Sequence, residues 1–124
     1  MSVFQFIKPA FAVSAVLTLG AFSLNTLALG ENCGEAPVAP ELVDGKTASM
    51  EELVANSEQV KGYIAEADQF LDCREAVIPT EEYKALSKSE QKQYREANKQ
   101  VLDARNVIGE AFNAEVAAFK KANP

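Results

Sequence analysis

Residues 49–73, SMEELVANSEQVKGYIAEADQFLDC, decide how this chain folds. Their apolar side chains Leu53, Val60, Ile64, Ala67 and Leu71 recur at steps of seven, four, three and four, flanked by Met50, Tyr63 and Phe70. That spacing makes one stripe along a helix, not the alternation of a strand. Ser49 and Glu52 form a capping box at its start, in which the serine side chain accepts from the third helical N–H and the glutamate reaches back. Gly62 weakens an exposed helix by about 1 kcal/mol relative to alanine. Pro79 stops it, because the residue before a proline is biased away from the helical region. The first helix is therefore expected over about 50–77.

Ser87 and Glu90 repeat the capping box and open a second helix, expected over about 88–122. Its stripe is Tyr94, Ala97, Val101, Ala104, Ile108, Ala111, Phe112, Glu115 and Phe119, the alternation of three and four that a coiled-coil seam requires. Ala97, Ala104 and Ala111 would let a partner helix approach closely. Glu115 interrupts the stripe, so packing is expected to loosen toward the end. Two long helices with a short connection prefer an antiparallel hairpin. In that pairing Asp68, Asp72 and Glu75 are expected to face Lys84, Lys88, Lys92 and Arg95. Because the second helix is the longer, its far end is expected to stand free, which nominates Phe112, Val116 and Phe119 as a partner-binding surface.

Upstream of Ser49 the chain reads ENCGEAPVAPELVDGKT over residues 31–47. Pro37 and Pro40 fix φ and remove donors, so residues 30–48 are expected to be an extended strap, with a turn at Asp44-Gly45. Two cysteines at positions 33 and 73 predict one disulfide, with an intermolecular bridge as the alternative. Reach is sufficient. Ser49 to Cys73 spans about 36 Å of helix at 1.5 Å per residue, and the extended strap covers about 50 Å. Closing that loop stabilises the chain by roughly 4 kcal/mol in the loop-entropy picture. A domain this small has limited apolar surface to bury and gains from such a staple.

Residues 1–29 read as a removable signal. Lys8 precedes a long uncharged apolar run, and Thr26 with Ala28, or Ala28 with Gly30, fits the small-x-small rule for cleavage. A retained anchor is the alternative, although Ser14, Thr18, Gly20, Ser23, Asn25 and Thr26 dilute the run. Asn32 before Cys33 argues against lipidation of that cysteine. The expected address is periplasmic or secreted.

Charge and composition narrow the chemistry. Residues 29–79 carry 3 basic and 11 acidic side chains, and residues 80–124 carry 8 and 7, a net of −7 over the two. That balance argues against nucleic acid and against anionic membrane surfaces once the signal is gone. No histidine occurs, so there is no imidazole base and no Ser-His or Cys-His nucleophile. Glycine-rich phosphate loops are also missing. Asp68, Asp72 and Glu75 share a helical face and read either as a weak divalent-cation site or as a solvated face; the second reading is preferred because no looped ligand set accompanies them. Tyr63, Phe70, Tyr94, Phe112 and Phe119 read as core before they read as a ligand platform.

The pattern formed by Pro37, Pro40, Asp44, Gly45, Ala48, Ser49, Glu52, Val60, Tyr63, Phe70, Leu71 and Cys73, followed by Phe112, Asn113, Val116, Phe119 and Lys120, resembles that of small exported helical proteins of proteobacteria without an assigned activity. Val43 departs from the proline expected before Asp44-Gly45. The resemblance implies a bacterial envelope address and carries no catalytic residue. The expectation is an all-α protein, an extended proline-bearing strap plus an antiparallel helical hairpin with one disulfide. It is expected to act as a non-enzymatic binding or structural module, with a chaperone-like client-binding factor as the alternative. No cofactor or metal is expected, the partner is expected to be protein, and self-association into a four-helix dimer is an option because a lone hairpin buries a thin core.

Overall fold

The computed structural model describes residues 29–124; apart from Leu29, the expected signal lies outside the described residues. A short 3-10 turn, Glu31–Cys33, leads into an extended segment. Three helices follow: α1 (Met50–Glu75), the single-turn α2 (Glu81–Lys84) and α3 (Lys88–Ala122). Both capping boxes form. Ser49 Oγ accepts from Glu52 N–H at 3.2 Å while Ser49 N–H donates to Glu52 Oε2 at 2.7 Å. Ser87 and Glu90 do the same at 3.2 and 2.8 Å. Among the described residues there is no strand, and no helix is long and apolar enough to cross a membrane.

Helices α1 and α3 pack against each other as the antiparallel hairpin. The seam on α1 buries Leu53, Val60, Tyr63, Ala67, Phe70 and Leu71. On α3 the seam is turned from its expected position. Ala97 and Ala104 are exposed, whereas Asn98 is buried and Arg105 half-buried. The inward row is thus Tyr94, Asn98, Val101, Arg105, Ile108, Phe112, Glu115 and Phe119, still with steps of three and four. Asn98 and Arg105 sit in the seam because α1 answers both, and Glu115 is answered by the strap at Gly45. Arg74 Nε donates to Asn98 Oδ1. Arg105 binds Asp68 with both of its forks, at 2.6 and 3.0 Å.

The same pairs fix the register and correct the expected charge pairing. Asp68 faces Arg105, not the lysines at the start of α3, and Lys84 and Lys92 pair within their own helices with Glu81 and Glu96. The surplus length of α3 therefore projects beyond the Cys73 end of α1, not beyond its Met50 end. There the connection covers it. Tyr83, Leu86 and Tyr94 form a small core with Leu29, Val77 and Ile78 packed around it, the two tyrosine rings meeting edge to face at 5.5 Å. Gln91 ties the corner by donating to the carbonyls of Tyr83 and Leu86, while Tyr83 Oη donates to the Gln91 carbonyl at 3.1 Å.

The strap runs antiparallel to α1 and is fixed at three points. Cys33 and Cys73 are joined by the expected intramolecular disulfide, with Cα atoms 5.6 Å apart. Midway, Val43 N–H donates to Asn56 Oδ1 at 3.0 Å and Asn56 Nδ2 donates to the Glu41 carbonyl at 2.8 Å. At the far end Gly45 N–H donates to Glu115 Oε2 at 2.6 Å.

Candidate functional site

Phe112, Val116 and Phe119 do not form the free helix end that the sequence suggests. Phe119 is only 8% exposed. Gly45 presses its backbone against α3: a Cβ at that position would lie 1.9 Å from the Glu115 carbonyl oxygen and 3.0 Å from the Phe119 nitrogen. Only glycine permits that approach, and the turn it belongs to (Thr47 and Ala48 N–H donating to the Asp44 carbonyl) covers the end of the helix. Glu115, read as a break in the seam, is the acceptor that holds the strap there. Phe112 and Val116 remain half-buried, on the same helix as the exposed Leu102 and Val107, at 43% and 61% exposure. Of the expected partner surface, Phe112 and Val116 are the side chains that remain accessible.

The second constellation lies near the disulfide and was not legible in the sequence. Arg74 directly follows Cys73 on α1. Its guanidinium carbon sits 4.0 Å above the Tyr94 ring and 5.5 Å from that of Phe70. Such cation–π contacts contribute about 0.5–2 kcal/mol, more as water is excluded. Tyr94 Oη donates to the Arg74 carbonyl at 2.8 Å, so ring and helix are fixed to each other. Burial pushes the Tyr94 phenol above its usual range, and the charge of Arg74 partly opposes that. Asn98 completes the set. Because its Oδ1 accepts from Arg74, its amide orientation is fixed, and Nδ2 is left buried without an acceptor. A buried donor of this kind costs about 1–3 kcal/mol.

Arg105 makes a contrasting case. Hydrogen bonding to Asp68 raises its pKa further, and its charge is neutralised in place. Arg74 has no carboxylate within ion-pair distance among the described residues, and residues 1–28 contain no Asp or Glu that could supply one. Of the acidic trio, Asp68 is thus committed to a guanidinium. Among the described residues no group of three His, Cys, Asp or Glu side chains is arranged to hold a metal ion. The expected aromatic core is present in Tyr63, Phe70, Tyr94 and Phe119, all buried. Comparison with protein-family models, with curated proteins and with solved structures finds no match to this chain.

Proposed function

We propose that this protein is a non-enzymatic binding module of the bacterial envelope, the address implied by the small exported helical proteins it resembles. The observation that carries this reading is the Cys33–Cys73 bridge, which pins a strap across a two-helix scaffold and belongs to an oxidising compartment. Export by a cleaved signal accords with it. Of the two cleavage positions, the one after Ala28 keeps Leu29, which packs against Tyr83, Leu86 and Tyr94. The one after Gly30 discards it. The mature protein is accordingly expected to begin at Leu29, which intact mass of the secreted form checks.

Binding is assigned to the α3 surface at Phe112 and Val116, which lie four residues apart on one side of the helix, and the partner to protein. Fully buried side chains are few in this hairpin, so rigidity comes from the strap and not from a thick core. A rigid scaffold that leaves half-covered apolar residues on one helix suits protein contact better than catalysis. The test is a photo-crosslinking side chain placed at Val116 in the envelope of the living cell, with Glu82 on the exposed face of α2 as the control. A single adduct at 116 that is absent at 82 supports an accessory role. Many unrelated adducts would favour a chaperone-like factor, and an adduct with a second copy would favour self-assembly. Equal labelling at both positions would refute the surface.

A further inference from the structure

A groove of about 350 Å³ opens between the strap and α3, close to Arg74. Pro37 of the strap forms one wall, the buried rings of Tyr63 and Phe70 lie beneath, and Ala97 and Ala104 form the other wall. The two alanines are exposed here because the α3 seam is turned toward Asn98 and Arg105, so small side chains border a hollow in place of a helix contact. The volume is at the lower end of small-ligand sites, which are mainly apolar with a few fixed polar groups.

Arg74 and Gln100 are the polar groups here, and Arg74 is the charged one. Tyr94, Phe70 and Asn98 hold its guanidinium, Nη1 lies beside Gly30, and Arg74 borders the groove, while its charge is not met by any carboxylate of the described residues. A planar guanidinium held this way presents its remaining N–H donors in the fork that matches a carboxylate. On the far side of Phe70 and Pro37, the hollow beside the disulfide is bordered by Glu35 and Glu66. Those carboxylates repel an anionic head from that direction, leaving Arg74 to receive the head and the Ala97–Ala104 wall to receive a tail.

We propose that this groove binds a small apolar monocarboxylate, its carboxylate paired with Arg74 and its hydrocarbon part laid along Ala97 and Ala104. This site is separate from the partner surface on α3 and does not depend on it. Because Pro37 supplies one wall, the site exists only while the strap is pinned.

Decanoate below its micelle concentration is the probe, titrated into the oxidised protein and followed by nuclear magnetic resonance. Decanol and decyltrimethylammonium serve as head-group controls. Saturable shifts are expected at the Arg74 Nε–H and at the Ala97 and Ala104 amides, with decanoate binding at least tenfold more tightly than either control. Arg74→Gln should weaken decanoate at least tenfold and leave decanol unchanged. Should that variant unfold through loss of the Asn98 contact, Ala104→Phe replaces it: position 104 is exposed, so the fold tolerates the ring while the groove is filled and decanoate binding is lost. Equal binding of decanoate and decanol, shifts centred on Phe112 and Val116, binding unaffected by Ala104→Phe, or no saturable shift at all would each overturn the proposal.

Discussion

Asn56→Ala is the substitution whose cost can be worked most fully from the structure. Asn56 is 3% exposed and acts as a surrogate strand edge. Its Oδ1 accepts from Val43 N–H, and its Nδ2 donates to the Glu41 carbonyl and, at 3.1 Å, to Gln59 Oε1. Alanine deletes all three bonds. Gln59 is exposed and is rehydrated at little cost. The two bonds to the strap are neutral and part-buried, so each contributes about 1 kcal/mol net, and the half-buried Val43 N–H adds about 1 kcal/mol of desolvation that water only partly relieves. The expected loss is about 2–3 kcal/mol, or a fall in Tm of about 10–20 °C for a domain of this size. Asn56→Asp separates the two ends of the contact. Its carboxylate still accepts from Val43 but sets an oxygen against the Glu41 carbonyl. The protonated form restores the donor, so the folded state of this variant raises the pKa of the new carboxyl. Its penalty is then absent below the unfolded value near 3.9 and grows as pH rises above it. Urea unfolding followed by circular dichroism, with the disulfide intact, measures both variants, and hydrogen exchange of the Val43 amide reports the strap alone. An alanine variant within about 0.5 kcal/mol of the parent with unchanged Val43 exchange would refute this account, as would an aspartate variant that matches alanine at every pH.

Three further outcomes are expected. Replacing Cys33 and Cys73 together with serine reopens a 40-residue separation and should lower stability by about 4 kcal/mol, read from urea unfolding with midpoint and slope both fitted, the slope rising as the unfolded chain loses its constraint. Gly45→Ala cannot be accommodated by side-chain motion, because the obstruction is the α3 backbone. The turn must lift off Phe119 at a cost of about 1–3 kcal/mol, and a thermal melt equal to the parent's would contradict the close approach. The Tyr94 phenol, raised by burial, keeps its contribution below the unfolded tyrosine value near 10 and loses it as pH rises through the folded value. Stability should therefore decline above about pH 10, and Tyr94→Phe, though less stable at neutral pH for want of the bond to Arg74, should show a shallower alkaline decline.

The elements of this protein are written in short-range chemistry. Ser49 with Glu52 and Ser87 with Glu90 announce both long helices, because a capping box needs only residues three apart. Pro37 and Pro40 keep the strap extended through their own rings, and two cysteines in a chain of this kind leave a single intramolecular pairing. What apolarity could not decide was the rotation of α3. The rows Ala97–Val101–Ala104 and Asn98–Val101–Arg105 lie side by side on the helix, and hydrophobicity alone chooses the first. The second is buried because Arg74 and Asp68, 24 and 37 residues away, answer its polar groups. Asn56, Gly45 and Glu115 were unreadable for the same reason, since an amide, a glycine and a carboxylate acquire their roles only when the strap arrives beside them. Sequence alone determined which segments are helical and which two residues are available for a bridge, and the structure closes that bridge within one chain. Only the tertiary structure decided which face turns inward, where α3 is covered and which arginine keeps an unmet charge, because each of those depends on a partner brought close by the fold.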